Sequence, residues 1–180
     1  DMEGSTTTWT AAPPWGRVTT TSYSSTTSWA DSPAGNYADG TDVSLTSPTL
    51  DLSDITSATL TFWRRYSTES GYDYGRVEIS TNGGNTWSQL DAYSGAQTNW
   101  TQVQLDISSY LPSAFVRIRF RLTSDSSASY DGWYIDDVSV STCQFSWTAS
   151  ADGTAQYTYS SAGNYTATLR VTDNDGNHGT

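Results

Sequence analysis

The segment VRIRFRL, residues 116–122, decides the fold, because its apolar and charged residues alternate without interruption. A period of two places successive side chains on opposite faces of a β-strand, so this segment has one dry face and one wet face. Similar alternation recurs in residues 58–62, 77–79, 103–107 and 165–171. Clusters of Gly, Pro, Asn, Asp and Ser separate these runs and are typical of turns. The pattern predicts an all-β protein built as an antiparallel β-sandwich.

The charge composition is strongly one-sided. The 180 residues include 19 Asp and Glu against 8 Arg and no Lys, which gives a net charge of −11. An acidic surface repels phosphate backbones, so we expect no nucleic-acid partner. Carboxylates without competing Lys suit hard cations such as Ca²⁺, which prefer oxygen ligands. No apolar stretch approaches the roughly 18 residues that a membrane span requires, so we expect no membrane insertion.

The scarcity of His and Cys restricts the chemistry that the chain can support. It has one His, His178, and one Cys, Cys143, so a zinc site built from several such residues is excluded, as is an intrachain disulfide. A Ser-His-Asp triad would depend on a His among the last three residues, where geometry is hard to hold. The three Glu residues form no recognisable glycosidase pattern. We therefore expect a protein that is not an enzyme.

The alternating runs divide the chain into two regions. Residues 1–142 contain most of them, and residues 143–180 contain strands and turns of their own. From Phe145 onward the second region has only about 35 residues, too few for an independent hydrophobic core. The sequence thus predicts a β-sandwich over 1–142 and a partial second domain over 143–180, which either docks on the first or lacks the rest of its fold.

Acidic residues flank the first region. Glu3 lies at its start, and its last strand contains the motif YIDDV. Ile135 and Val138 in that motif are both apolar, although strict alternation places them on opposite faces. A β-bulge at Asp136 and Asp137 resolves this conflict and re-aims the carboxylates. If the first and last strands are neighbours, Glu3 approaches Asp137, and the pair needs a cation or a shared proton. Alternatively, these acids cap strand ends in solvent.

A series of short motifs runs in order through residues 1–142. Its members are DMEG at the start followed by Trp9, LDLS at 50–53, FWRRY at 62–66, Glu69, YDYG at 72–75, VEIS at 77–80, Trp87, Trp100, RIRF at 117–120 and DGWYIDDV at 131–138. Together they resemble the MAM-like jelly-roll modules appended to secreted bacterial peptidases of the immune inhibitor A and subtilisin types. Such modules are non-catalytic and often carry structural Ca²⁺ between the first strand, a following loop and the last strand.

This resemblance implies a jelly-roll fold and a set of metal ligands. Carried over to this chain, it makes Glu3 and Asp137 the Ca²⁺ ligands, with Asp42 as a further candidate from the loop. Other acids lie near predicted turns. From these we select Glu69, Asp73 and Asp131 as candidates for a second cation site.

Arginines line one face of the segment quoted first. Arg117, Arg119 and Arg121 form either a stripe for an acidic polysaccharide or ion pairs with acids on neighbouring strands, such as Asp106 or Glu78. Pairing across strands is the commoner arrangement in antiparallel sheets, and we favour it.

Aromatic residues are abundant, with 8 Trp and 12 Tyr. A cluster of exposed rings usually binds a ligand, for example by stacking on sugar faces, whereas buried rings fill the core. The candidates near predicted turns are Trp15, Trp29, Tyr72, Tyr74, Tyr93 and Tyr130.

The second region has its own motifs, AGNY at residues 162–165 and VTDNDG at 171–176. They are similar to the second half of a polycystic-kidney-disease (PKD) type domain. The first strands of that family are absent, so we expect an incomplete sandwich with open edges. Such an edge accepts a strand from another chain, which predicts a homopolymer formed through residues 143–180 as one mode of assembly.

Together, these patterns predict a non-catalytic, Ca²⁺-stabilised accessory or adhesion module of a secreted or cell-surface protein. Its expected partner is a polysaccharide or a surface protein. The alternative is a structural subunit of an extracellular fibre or adhesin, assembled through the C-terminal β segment.

Overall fold

In the computed structural model of this chain, the apolar residues of the alternating segments within residues 58–122 are more buried than the polar residues between them. The structure describes Glu3 and residues 8–142, together with four short strands beyond them. Those strands are Thr148–Ala149, Ala155–Gln156, Val171–Thr172 and His178–Gly179. The chain divides into two units, Asp1–Gln144 and Phe145–Thr180. Apart from these strands, the PKD-like segment, its predicted open edges and Cys143 lie outside the described residues.

The described residues of the first unit form eleven strands. In chain order they are β1 Thr10–Ala11, β2 Gly16–Val18, β3 Ser28–Ala30, β4 Asp42–Thr46, β5 Leu50–Leu52, β6 Ala58–Ser67, β7 Tyr74–Ser80, β8 Ser88–Tyr93, β9 Ala96–Asp106, β10 Ser113–Thr123 and β11 Gly132–Thr142. A single 3-10 turn, Ser108–Tyr110, separates β9 from β10. The described part of the chain contains no helix whose length and apolarity would suffice to cross a bilayer.

The strands form two antiparallel sheets. The six-stranded sheet has the order β1-β4-β10-β7-β8, with β5 also paired to β10, and the five-stranded sheet has the order β2-β3-β11-β6-β9. The chain passes repeatedly from one sheet to the other, as in a jelly roll, so the predicted all-β jelly-roll sandwich is confirmed. Among the described strands, β1 pairs with β4, whereas β11 pairs with β3 and β6.

Strand β10 shows how the alternation builds the core. Val116, Ile118 and Phe120 are almost fully buried between the sheets, and the arginines that separate them face outward. Registers with β7 on one side and β4 on the other place β10 in the middle of its sheet. Burying an aliphatic or phenyl side chain contributes about 1.5–3 kcal/mol, so this strand anchors the six-stranded sheet.

Aromatic rings from both sheets meet in the centre of the sandwich. Phe62 of β6 and Phe120 of β10 contact edge to face, with ring centroids 5.1 Å apart and planes at 67°. Trp133 of β11 lies 5.7 Å from Phe120 with planes at 79°. All three side chains are fully buried. Because Phe62 and Trp133 belong to one sheet and Phe120 to the other, these contacts fix how the sheets lie against each other.

The absence of a side chain at Gly75 leaves room for the Trp133 indole. A Cβ atom at Gly75 would lie 2.7 Å from Cδ2 and from Cε3 of Trp133, closer than atoms of a packed core can approach. The glycine is buried in β7, opposite Leu122 of β10. The absence of a side chain at this position lets the large ring sit directly on the backbone of the facing sheet.

A carboxylate is buried where β3 ends. Asp31 is fully enclosed, and its Oδ1 atom accepts a hydrogen bond from the backbone N–H of Trp133. Its Oδ2 atom has no hydrogen-bond partner. Burial raises the pKa of Asp31 to about 7, against the lowering effect of the Trp133 hydrogen bond. A carboxylate in this position favours its protonated form, since desolvation penalises the charge.

Substitution Gly75→Ala should destabilise the fold through the Trp133 indole. The added methyl group forces the ring from its position, and overpacking of this kind costs about 1–3 kcal/mol. The cost should fall when the same substitution is made in a Trp133→Phe background, because the smaller ring leaves room. Urea unfolding of the four proteins in this double-mutant cycle measures the coupling. An equal cost in both backgrounds would show that the contact does not constrain the packing.

Substitution Asp31→Asn should change how stability depends on pH. The pKa of Asp31 is about 7 in the folded protein against an ordinary 3.8. Stability from this group is therefore fully present below the ordinary value and is lost as pH rises toward the folded value. Between about pH 4 and pH 7 the wild type should lose stability relative to the variant, on the order of 4 kcal/mol. Unfolding at both pH values measures this difference, and parallel pH profiles would contradict the assignment.

Candidate functional site

The acidic motif in β11 contains the predicted bulge. The register between β11 and β6 shifts between Asp136 and Ser139, and Asp137 has a φ of 48°. Asp136 Oδ2 accepts hydrogen bonds from the backbone N–H groups of Tyr23 at 2.8 Å and Ser24 at 3.3 Å. Asp137 Oδ1 accepts one from the Ser24 hydroxyl at 2.7 Å. The predicted bulge is confirmed, and it turns two consecutive carboxylates toward the loop between β2 and β3.

Glu3 binds the same loop a few residues further on. Its Oε2 atom accepts hydrogen bonds from Thr26 Oγ1 at 2.9 Å and from the Thr27 N–H at 3.1 Å. Loss of solvent raises the pKa of Glu3, but the hydrogen bonds from Thr26 and Thr27 outweigh it and lower the pKa overall. Glu3 and Asp137 therefore hold neighbouring parts of one loop, residues 23–27, which we call the anchor loop.

Burial acts differently on the pKa of Asp136. Its side chain is fully buried, and desolvation raises the pKa although the N–H groups of Tyr23 and Ser24 lower it. The neighbouring Asp137 charge raises it further. A cation at this position would favour the ionised form, since it removes the mutual repulsion of the two carboxylates.

Asp42 lies elsewhere. Arg121 donates from Nε and Nη2 to the two carboxylate oxygens of Asp42, both at 2.6 Å, on the outer face of the six-stranded sheet. This bidentate bond holds the pKa of Asp42 below its ordinary value. The structure thus brings Glu3 and Asp137 to one loop but does not bring Asp42 to them, because Asp42 is committed to a guanidinium.

The other arginine pairing also follows the strand register. Arg119 Nε donates to Glu78 Oε2 at 2.7 Å, and these residues are directly opposed in β10 and β7. The prediction of cross-strand pairing is confirmed for Glu78. It is wrong for Asp106, which lies in β9 of the five-stranded sheet, where Thr59 is its register partner.

Three carboxylates meet at one end of the sandwich. Each of Glu69, Asp73 and Asp125 offers an oxygen within 4.8 Å of the others, and within the described residues this is the one such group of three. We call it the acidic cluster. Glu69 follows β6, Asp73 precedes β7 and Asp125 follows β10. The predicted third member, Asp131, instead accepts a hydrogen bond from the Tyr134 hydroxyl at 2.9 Å and lies 3.8 Å from Arg65 Nη2.

The acidic cluster has one rigid member and one incompletely bonded member. Asp73 is fully buried and accepts hydrogen bonds from the Tyr37 hydroxyl at 2.5 Å and from the Asp125 N–H at 2.8 Å. Glu69 Oε2 is buried without a hydrogen-bond partner. Desolvation, with the charges of Asp125 and Asp73, raises the pKa of Glu69. An all-oxygen donor set with an unsatisfied buried oxygen fits a hard divalent cation.

Aromatic side chains cover part of the outer face of the five-stranded sheet. Tyr23 of the anchor loop stacks on Trp63 of β6, with ring centroids 3.5 Å apart and planes at 10°. Trp100 of β9 packs against a small buried cluster that includes Tyr134 of β11. The Tyr23 side chain is 45% exposed. We call the surface of Tyr23, Trp63 and Trp100 the aromatic face.

Polar side chains border the aromatic face. Gln102 is the register partner of Trp63, and Gln104 is the partner of Thr61. Both glutamines are exposed and lie on the same side of β9. They place amide donors and acceptors beside the stacked rings, on strands whose backbone is fixed by the sheet.

Burial divides the aromatic residues that the sequence singles out. Trp15, Trp29 and Tyr93 are at most 9% exposed and pack in the core, so they do not form a binding surface. Tyr72 and Tyr130 are 65% and 42% exposed. They lie in the loops that carry the acidic cluster, residues 68–73 and 124–131 respectively.

Tyr74 lies in β7 of the six-stranded sheet, away from the aromatic face. The Tyr74 ring contacts the guanidinium of Arg76, 4.7 Å from the ring centroid. The predictions missed Tyr23, Trp63 and Trp100. For Trp63 a signal is present, because Leu60 and Phe62 set the inward phase of β6 and leave Trp63 on the outer face. A large ring out of phase with the apolar side of its strand indicates a surface role.

Comparison with known proteins supports this architecture. A Reelin subrepeat B family model matches residues 38–141. Bacillopeptidase F of Bacillus subtilis (strain 168) is 36% identical over 107 residues, which cover 59% of this chain and 7% of that protein. The chain therefore spans only a small part of that relative. The match supports the expected likeness to a module of a bacterial peptidase.

Two solved structures show the same fold at low identity. The K1 cleaved adhesin domain of Lys-gingipain from Porphyromonas gingivalis W83 has 17% identity and a TM-score of 0.52, over 78% of this chain and 94% of that one. The CBM22-1 xylan-binding domain of Xyn10C from Paenibacillus barcinonensis has 13% identity and a TM-score of 0.51, over 77% and 88%. The family model covers more than half of the sequence. By that match, the chain belongs to the Reelin subrepeat B family.

Proposed function

We propose that this chain is a non-catalytic attachment module of a secreted or cell-surface protein, which binds polysaccharide on the aromatic face and is stabilised by Ca²⁺. One observation carries the proposal, namely the stack of Tyr23 on Trp63 beside the exposed amide of Gln102. Sugar rings present an apolar C–H face that packs on aromatic rings and hydroxyl groups that bond to amides.

The stack preorganises the exposed ring of Tyr23 for binding. Trp63 supports the Tyr23 ring from below at 3.5 Å, and Asp136 holds the Tyr23 backbone N–H. A ring supported on one side, in a residue whose backbone is also held, loses little conformational freedom when a ligand binds, which favours affinity. The face lies on a sheet instead of in a closed cavity, so it suits an extended chain of sugars better than a small molecule.

The structural neighbours and the sequence relative support the attachment role. One structural neighbour is described as a xylan-binding domain and another as an adhesin domain. The matched sequence relative is described as a peptidase, and this chain covers a small part of it. A module of this kind would hold a parent protein at a polymeric surface outside the cell.

The proposed Ca²⁺ sites are two. The acidic cluster supplies oxygens of Glu69, Asp73 and Asp125. The second place is the anchor loop, where Glu3 and Asp137 bind neighbouring residues. A cation there would fix the loop that carries Tyr23, so it would also support the aromatic face.

Substitution Tyr23→Ala should weaken polysaccharide binding. Removal of the exposed ring of the stack should lower affinity for xylan, chosen as a neutral probe, about fivefold to tenfold, in line with roughly 1 kcal/mol for an aromatic contact. Affinity electrophoresis in xylan-containing gels measures the effect.

The matched control is Tyr72→Ala, which removes an exposed tyrosine from the loop beside the acidic cluster. This control should bind like the wild type. If Tyr72→Ala loses binding and Tyr23→Ala does not, the glycan site lies at the acidic cluster and the proposal for the aromatic face fails. Equal migration of all proteins with and without xylan also contradicts it.

Excess Ca²⁺ should raise the melting temperature above that in EDTA. A site filled at about 100 times its Kd adds roughly 2.7 kcal/mol by mass action, which is a shift of several degrees for a domain of this size. Asp125→Asn should abolish the part of the shift due to the acidic cluster, and Asp137→Asn the part due to the anchor loop.

Asp51→Asn serves as the control for charge removal. Asp51 is exposed, and its carboxylate accepts hydrogen bonds from Ser53 alone among the described residues. This variant should keep the full Ca²⁺ shift. Identical melting in EDTA and Ca²⁺ for the wild type would exclude both cation sites.

A further inference from the structure

Half of the arginines in the chain lie on one face of the molecule. The sequence has eight basic residues, all Arg, and four of them face outward from the six-stranded sheet. These are Arg76 of β7 and Arg117, Arg119 and Arg121 of β10. We call this surface the arginine face. Its concentration of positive charge is unusual for a protein with a net charge of −11.

Two of these four guanidinium groups are neutralised within the fold. Arg119 pairs with Glu78 at 2.7 Å, and Arg121 pairs with Asp42 at 2.6 Å and reaches a second Glu78 oxygen at 3.7 Å. Glu78 is almost fully buried, so water screens its charge little. Its carboxylate therefore interacts strongly with Arg119 and Arg121.

The other two have only neutral partners. Arg76 Nη1 donates to Gln89 Oε1 at 2.8 Å, and Arg117 Nε donates to Thr49 Oγ1 at 3.0 Å. In residues 8–142 neither Arg76 nor Arg117 forms an ion pair. Both side chains are partly exposed. Each keeps N–H groups and a full positive charge available to an anionic ligand.

The strand register sets the distance between the two unpaired charges. Arg76 is opposite Arg121, and Arg117 is four residues along β10 from Arg121. At about 3.3 Å per residue this is a separation of roughly 13 Å along the strand. Two anionic groups must therefore be carried by an extended ligand, because a single small anion cannot reach both.

An aromatic ring lies beside Arg119, two residues from Arg117 in β10. The Arg119 guanidinium sits 4.1 Å from the centroid of the Trp87 ring. This contact and the Glu78 pair hold Arg119 in place, and part of the indole remains accessible. A partly exposed aromatic ring on the same face as two separated cationic groups matches a sugar chain that carries acidic substituents.

We propose that the arginine face binds an acidic polysaccharide, whose carboxylate groups are taken by Arg76 and Arg117. The site is on the opposite sheet from the aromatic face and does not depend on it. Nucleic acid is a poorer ligand, since its dense negative charge meets the repulsion of the whole acidic surface. A polyuronate has more widely spaced charges and rings that pack on Trp87.

Binding to polygalacturonate tests the proposal, with galactan as the neutral comparison. The wild type should bind polygalacturonate more tightly than galactan, and its affinity should fall as salt rises. The double variant R76Q/R117Q should bind polygalacturonate at least about tenfold more weakly and with a smaller salt dependence. The paired Arg119 and Arg121 are left intact, so the sheet keeps its internal ion pairs.

The matched control is Arg65→Gln, which removes one positive charge from the five-stranded sheet, where Arg65 lies 3.8 Å from Asp131. It should bind polygalacturonate like the wild type. Equal affinity of the wild type and R76Q/R117Q, or equal binding of both polymers, overturns the proposal. Binding to polyglutamate but not to polygalacturonate also overturns it, since the face would then recognise an acidic protein. None of these outcomes depends on xylan binding at the aromatic face.

Discussion

The sandwich depends on the contact between the Trp133 indole and the backbone of the facing sheet at Gly75. The ring belongs to β11, in the middle of the five-stranded sheet, and Gly75 belongs to β7 of the other sheet. Phe62 and Phe120 pack around the same point. Because protein interiors are close-packed, this contact fixes the spacing of the sheets and hence the surfaces on their outer sides.

The acids of the chain serve several physical roles. Asp31 is buried as a fold element, Asp42 and Glu78 hold arginines, and Asp136 orders the anchor loop through backbone N–H groups. The acidic cluster is different, since three carboxylates converge there with one buried oxygen left unbonded. A high content of acidic residues therefore does not by itself indicate a metal site. The role of each carboxylate depends on the groups that it contacts.

Much of the fold follows from the sequence, because strand alternation is a local property. Val116, Ile118 and Phe120 predict β10, and the phase conflict of Ile135 and Val138 predicts the bulge in β11. Features that depend on which strands become neighbours cannot be predicted from the alternation within one strand.

The candidate site illustrates that limit. Asp125 and Asp131 both lie in the segment between β10 and β11, and only the path of this loop decides which of them meets Glu69. Asp42 carries no local sign that Arg121 of another strand will bind it. Burial of Trp15 and Trp29 likewise depends on packing between elements, whereas the outward phase of Trp63 can be read from its own strand.

The uneven placement of charge gives this unit a permanent electric moment. Four guanidinium groups lie on one broad side, and the three carboxylates of the acidic cluster lie in loops at one end. Near a charged polymer such a moment exerts a torque, so the molecule turns before it touches the surface. The effect acts over about one Debye length, roughly 8 Å at physiological ionic strength. Ionic conditions would therefore govern the orientation in which the molecule lands.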